Sequence, residues 1–344
     1  MTRISKIPST FLSDTVGGVT VVVRARYREA IRHALSRTDH LCDQGDAAYR
    51  KFGRGVCLSV PVKEDSAERF VIRSYKHGGL FGKLLGGIFC DGNRPLNEVC
   101  VNEIALQKGV PAAEVIAVTK KKICGLFYRA HFITKEISGA ADVLQFLQET
   151  PREVIRRSKH AIIHALVKLI RDMHDAGIYH ADLHLKNILL KQNASGDFSA
   201  YIIDLDKSFV VDKLTVEQRM KNLLRLNRSI DKIRWFSGQT LVNDDPTHKG
   251  NDSSRSSNGK RGASAQERGI RLERKMDLVS KIDRIRFLKA YITRGSVLDA
   301  DWGKYARQYH SPYFFHKSWW RVLDLFKNIC SFKRYLIDPR LLPR

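Results

Sequence analysis

The sequence predicts an α+β protein: a small antiparallel sheet with one main helix, followed by a larger, mainly helical part. Three observations carry this. Residues 20 to 136 are rich in β-branched and aromatic runs. One helical pattern interrupts those runs near residue 100. Beyond residue 150 helical spacing dominates.

The strand signals are "GVTVVVR" (18–24), "GVCLSVPV" (55–62), "RFVIRSY" (69–75), "AEVIAVTK" (113–120) and "CGLFYRAHFITKEI" (124–137). Between them, "NEVCVNEIALQKGV" (97–110) sets Val101, Ala105 and Leu106 at helical spacing and stops at Gly109 and Pro111. Residues 152–175 form the strongest helical pattern, with Ile155, Ile162, Leu166, Leu169 and Met173 on one face and Gly177 as the stop. Two short strands follow, "NILLK" and "SAYIIDLD", joined by the turn-like "QNASGD". The stretch 237–269 has no aromatic and almost no aliphatic residue, which predicts a mobile insertion. Helix is expected again over 272–292. Residues 311–336 mix aromatics with Lys and Arg, the pattern of a terminal helix packed on the core or of a surface that meets anionic lipid.

With 344 residues, 43% apolar and 28% charged, the chain has material for one large or two modest domains. Its formal charge of +24 favours anionic partners. No apolar stretch approaches the roughly 18 to 20 residues of a spanning helix. The first residues lack a sustained apolar run, so no signal peptide is expected. Cys42, Cys57, Cys90, Cys100, Cys124 and Cys330 form no CxxC pair, which argues against a zinc module or disulfide scaffold and fits a reducing, cytoplasmic setting.

The chemistry concentrates in "GIYHADLHLKNILL" (177–190) and "YIIDLDKS". Transfer of a phosphoryl group to an alcohol needs a carboxylate at the attacking hydroxyl and oxygen ligands for a hard metal ion at the phosphates. Asp182 suits the first task; Asn187, five residues on, and Asp204 suit the second. The two short strands place Asp182 and Asp204 at neighbouring strand ends. His180 reads as a brace for the loop, and His184 is near enough to Asp182 to meet a phosphate or the acceptor.

These two segments resemble the catalytic and metal-binding loops of the protein-kinase-like superfamily, and their wording is similar to that of the lipopolysaccharide kinases that act on 3-deoxy-D-manno-octulosonic acid (Kdo) or heptose. "KFGRGVCLSV" resembles the family's glycine-containing nucleotide loop, with Gly53 and Gly55. "FVIRSYKHGGLFGKLLG" resembles its third strand, and "NEVCVNEIALQKGVPAAEV" its helix with the ion-pair glutamate. "ITKEISGA", with Glu136 and Ile137, sits where the interlobe hinge belongs, and "NLLRLNRSIDKI" (222–233) is similar to a segment after the metal loop.

The resemblance implies a bilobal protein-kinase-like fold, with a nucleotide-binding lobe over 1–136 and a catalytic and acceptor lobe over 137–344. It implies ATP and Mg²⁺, Asp182 as catalytic aspartate, Asn187 and Asp204 as metal ligands, and Glu98 as partner of the strand-three cation. That cation is Arg73 where most kinases carry lysine, because Lys76 would face away on a regular strand. Glu103 lies on another side of the helix from Glu98. Asp206 replaces the metal-loop glycine and is free to touch the metal or pair with an arginine. The implied acceptor is the Kdo sugar of an anionic glycolipid, reached by peripheral contact at the cytoplasmic face of the inner membrane.

Each part has an ordinary reading too: "GRG" as a turn, Asp182 as a surface charge, Arg73 as a solvent-facing strand residue. Their order along the chain favours the enzyme. Arg225, Arg228 and Lys232 share one helix side and offer a basic face for an acidic acceptor, or plain surface solvation. The glycine-rich 76–88 segment fits lobe packing or lipid contact. Heptose kinases, antibiotic-type small-molecule kinases and protein kinases remain alternative enzymes, although "KSFVVDKLTVEQ" leaves little room for a peptide platform. A pseudokinase that binds an anionic partner is the non-enzyme alternative. Nucleic-acid binding is not expected, because the aromatics do not interleave with the basic residues as a base-stacking surface would, and an anionic glycolipid explains the charge equally well.

Overall fold

The computed structural model describes residues 7–37, 50–52, 56–62, 68–75, 88–89, 93–124, 127–242 and 279–294. Its contacts divide the chain into two compact units, Met1–Tyr291 and Ile292–Arg344, and the architecture below is that of the first. Gly53, Gly55, Lys76 and most of the 76–88 segment lie outside the described residues, as do the 243–278 part of the expected insertion and helix and the aromatic 311–336 stretch.

Strands β1 (Phe11–Val16) and β2 (Val19–Arg24) form a hairpin over Gly17 and Gly18. Both glycines have positive φ (+55° and +77°), which a two-residue turn matching the sheet's twist requires. Helix α1 (Arg28–Arg37) follows. The sheet continues with β3 (Arg50–Phe52), β4 (Val56–Pro61), β5 (Arg69–Ser74), β6 (Ile88–Phe89), β7 (Val115–Cys124) and β8 (Phe127–Lys135). Its order is β1-β2-β7-β8-β5-β4-β3, antiparallel throughout, with β6 on β8. Helix α2 (Arg94–Gln107) lies between β6 and β7 in sequence.

Strand β7 sits inside the sheet between β2 and β8, and Val115, Ile116, Ala117 and Val118 are all buried. An extra residue, Ile116, between the Val115–Thr134 and Ala117–Ile133 pairs resets the alternation. Val115 and Val118 therefore join Val22, Phe132 and α2's Val99 on one face. Ile116 and Ala117 join Val21, Val23 and α1's Ile31 on the other. Each of the larger side chains among them contributes roughly 1.5–3 kcal/mol by leaving water.

Beyond the linker of residues 136–139, β9 (Ala140–Asp142) pairs with β11 (Ile188–Gln192), which forms a hairpin with β12 (Phe198–Ile202). Helix α3 (Val143–Glu149) is capped by Asp142, whose side chain accepts from Gln145 N at 2.9 Å. Helix α4 (Arg152–Asp175) buries Ile155, Ile162, Leu169 and Met173 as the pattern predicts, with Ala165 buried and Leu166 half-buried.

Gly177 ends this helix's turn at φ +77°. A side chain there would put Cβ 1.8 Å from the Val211 carbonyl oxygen, so the position requires glycine. The chain then enters β10 (Ile178–Tyr179), paired with β13 (Phe209–Val210). Helix α5 (Val216–Val242) continues six residues into the stretch expected to be mobile from Ser237 onward, and α6 (Lys281–Thr293) closes the described chain. The result is the bilobal α+β architecture of the protein-kinase-like fold: a sheet lobe with α2, and a mainly helical lobe carrying the β11–β12 hairpin.

Candidate active site

A cavity of about 340 Å³ brings together Arg73 from β5, Glu98 from α2, Glu136 and Ile137 from the linker, and Asp182, His184 and Asn187 from the loop after β10. Asp204, just beyond β12, completes it. The residues named for catalysis and metal binding therefore face one space. Arg225 and Arg228 are not in its lining, and the side chain of Lys232 lies outside the described residues.

The loop is held by main-chain contacts. Asn187 Nδ2 donates to the Asp182 carbonyl at 2.9 Å, and Ile203 N donates to the Asn187 carbonyl at 3.0 Å. His180, fully buried, joins both functional loops: its Nδ1 accepts from Asp182 N at 3.0 Å, and its Nε2 donates to the Ile203 carbonyl at 3.1 Å. Ala181 N donates to Ser208 Oγ at 3.1 Å, and Leu185 N to Ser229 Oγ at 3.3 Å. The Asp182 carboxylate stays 59% exposed, with His184 Nε2 at 3.4 Å. Asp204 has φ +61°, a left-handed conformation that aspartate tolerates better than most residues and that recurs at functional turns.

Behind the loop stands a polar relay that sequence reading missed. Asn222 of α5 accepts from His180 N at 3.1 Å and donates to the His180 carbonyl at 2.9 Å. Its Oδ1 also accepts from His174 Nε2 at 3.2 Å, so the neutral His174 ring presents Nδ1 to the Tyr291 hydroxyl at 2.6 Å. Isolated polar residues on apolar helix faces leave no periodic signal, and only the fold shows that they meet.

Burial pushes both histidines down, His174 to about 3 and His180 to about 4. The unfolded chain takes up protons below about 6.5 while these rings do not, so their contribution is full above pH 6.5 and is lost as pH falls toward 4. Glu98, raised to about 7 by burial, acts in the opposite sense between pH 7 and 4.5. The readout is therefore a difference between proteins. The fall in unfolding free energy from pH 7 to pH 5, measured by urea titration, should be about 2 kcal/mol smaller in His174→Gln than in the unmodified chain. Equal falls would contradict a neutral, buried His174.

Arg73 forms the electrostatic centre. Its Nη2 lies 2.6 Å from Glu98 Oε1 and its Nη1 2.9 Å from Asp204 Oδ1, so one guanidinium bridges α2 and the Asp204 loop. The Tyr75 hydroxyl donates to the other Glu98 oxygen. Burial raises the Glu98 carboxyl, and the guanidinium opposes it. Glu103 instead meets Arg24, at 2.6 Å. Asp206 pairs with Arg94 at the start of α2, with Nε 2.6 Å from Oδ1, a second tie between that helix and the Asp204 loop. The sequence flagged Asp206 but gave no sign of which arginine would meet it.

The sequence profile of the lipopolysaccharide kinase (Kdo/WaaP) family matches residues 62–241. A protein of Vibrio cholerae serotype O1 described as 3-deoxy-D-manno-octulosonic acid kinase is 31% identical over 186 residues, 52% of this chain and 72% of that protein. A Haemophilus influenzae protein of the same description is 30% identical over 188 residues, 52% of this chain and 73% of that protein. Among solved structures, one titled WaaP in complex with acyl carrier protein aligns with 83% of this chain and 92% of its own at 16% identity, with a TM-score of 0.43. With its profile match over more than half its length, the chain belongs to the lipopolysaccharide kinase (Kdo/WaaP) family and is an ATP-dependent kinase of sugar hydroxyls.

Proposed function

We propose that the chain phosphorylates the Kdo residue of a lipopolysaccharide precursor, using Mg²⁺-ATP and Asp182 as the carboxylate that orients the attacking hydroxyl and takes its proton. The observation that carries this reading is the convergence of Asp182, Asn187 and Asp204 on one cavity with Arg73 and Glu98. The relatives described as 3-deoxy-D-manno-octulosonic acid kinases supply the acceptor.

The residues fit a magnesium ion. Asn187 spends its amide nitrogen on the Asp182 carbonyl and keeps its oxygen for a cation, and the Asp204 carboxylate is 34% exposed. Among the described residues no group of three His, Cys, Asp or Glu could hold a metal. Two protein oxygens suit an ion that fills its shell with phosphate and water. When bound, such an ion neutralises charge that develops on the phosphates.

In this reading the residues divide their tasks. Arg73, kept in place by Glu98, meets the nucleotide phosphates, and its planar fork serves where most kinases use lysine. Glu136 and Ile137 bring the linker backbone to the nucleotide's base, with the 1–136 lobe as the nucleotide lobe and 137–344 as the catalytic and acceptor lobe. Gly53 and Gly55 belong to the same nucleotide site by resemblance. His184, beside Asp182, faces the acceptor.

Among the described residues no helix is long and apolar enough to cross a membrane. The +24 charge supports peripheral contact with an anionic inner-membrane face, where a lipid-linked acceptor is presented. Kinetics on two acceptors test the choice. The kcat/KM for a Kdo-bearing lipid A precursor should exceed that for a heptosylated core acceptor by at least about a hundredfold, the discrimination that buried polar contacts give. The reverse order would make the chain a heptose kinase with the same phosphotransfer site.

A further inference from the structure

The cavity lining holds the carboxylates of Glu98, Glu136, Asp142, Asp182 and Asp204. An acidic sugar that brings its hydroxyl to Asp182 brings its own carboxylate into this field, and like charges at such range repel unless a cation intervenes. The available cations in the lining are Arg73, Lys135, His184 and Lys186. Arg73 is held between Glu98 and Asp204, and Lys135 Nζ lies 2.6 Å from Glu68 Oε1. His184 sits against Asp182. Lys186 makes no hydrogen bond or ion pair with the described residues.

Its root is nevertheless fixed. Lys186 is the middle residue of the 3-10 turn Leu185–Asn187, between two buried neighbours. Asn187 N donates to the His184 carbonyl at 2.9 Å, closing the turn. Leu185 N is tied to Ser229, so the half-buried lysine stem starts from a rigid point one residue from the metal ligand and four from Asp182. The surroundings separate Lys186 from the nucleotide cation: burial raises the Asp142 carboxyl and Lys186 and His184 oppose that rise, whereas Arg73 is paired with Glu98 and Asp204. Asp142 is itself committed to capping α3.

We infer that the Lys186 ammonium receives the carboxylate of the acceptor sugar and so selects acidic acceptors. The inference rests on the function proposed above and assigns the acceptor's charge to a residue of the catalytic loop. Arg225 and Arg228, on a helix that supports the loop from behind, stay outside this contact. A lysine suits the task because its ammonium is a compact charge on a long stem that reaches a partner absent from the protein itself.

The test pairs a side-chain change with a chemical change in the acceptor. In Lys186→Met the KM for the Kdo-bearing acceptor should rise about tenfold or more, the usual worth of a charge-assisted contact, while the KM for ATP stays within about twofold. Lys186→Arg should recover part of the loss. For the unmodified enzyme, the acceptor's carboxyl methyl ester should show the same rise, and Lys186→Met should add nothing further on the ester. Additive effects, or an ATP KM that rises as much as the acceptor KM, would overturn the proposal and move Lys186 to the phosphate. An unmodified enzyme that fails to phosphorylate the Kdo acceptor at all would overturn the proposed function, and this inference with it.

Discussion

Replacing Arg73 with alanine should cost the fold about 2–4 kcal/mol and lower kcat/KM for ATP by roughly a hundredfold to a thousandfold. Both effects follow from one geometry. The guanidinium bridges Glu98 and Asp204 at 2.6 and 2.9 Å, and Glu98 is 2% exposed at its side chain. Without Arg73 a buried carboxylate loses its cation, a change that costs about 3–5 kcal/mol when nothing compensates. Two features reduce that figure. Arg73 itself is 27% exposed, and a Glu98 already raised to about 7 can take up a proton instead of staying charged. Arg73→Lys should fall between, since one ammonium cannot span both carboxylates in a planar fork. Urea unfolding and ATP kinetics measure the two effects separately. An alanine variant as stable and active as the unmodified chain would show that the bridge is incidental.

Asp182→Asn should lower kcat by about a hundredfold to ten-thousandfold, the range for removing a positioned acid–base group. The asparagine keeps the shape of the side chain and loses only its charge and its ability to take a proton. The contacts that hold the loop use main-chain atoms of residue 182: its N–H donates to His180 and its carbonyl accepts from Asn187. They survive the substitution, so ATP affinity and unfolding temperature should change little. This separation of rate from binding distinguishes a group at the reacting hydroxyl from one that merely shapes the loop.

How much of this was legible in the sequence depended on the kind of signal each element sends. Strands β5, β7 and β8 announce themselves by runs of β-branched and aromatic residues, and helix α4 by apolar residues at helical spacing. Strand β1 does not, because it is a sheet edge in which only Phe11 is buried. Helix α5 overruns its expected end at residue 237, where composition turns polar before the backbone leaves the helix. In the site, Asp182, Asn187 and Asp204 were readable as one cluster, because the proposed chemistry needs those residue types and the hairpin fixes their separation, and all three line the same cavity.

The supporting groups were not readable. Arg94, Asn222 and Tyr291 reach their partners across 112, 48 and 117 residues of sequence, and nothing local marks such a meeting. Arg225 and Arg228 of α5 were legible as a basic pattern, and neither lines the cavity. That helix meets the loop through Asn222 and Ser229, which bond to the loop's backbone, while Asp182, His184, Lys186 and Asn187 of the loop line the cavity.

The proposed function places Asp182 at the reacting hydroxyl of an acidic lipid-linked sugar. The most direct test follows phosphate from Mg²⁺-ATP onto a Kdo-bearing lipid A precursor by mass, with the unmodified chain and Asp182→Asn side by side and ATP binding measured for both. One added phosphoryl group is expected with the unmodified chain and almost none with the variant, at equal ATP affinity. Equal transfer by both proteins would contradict this and place the catalytic carboxylate elsewhere.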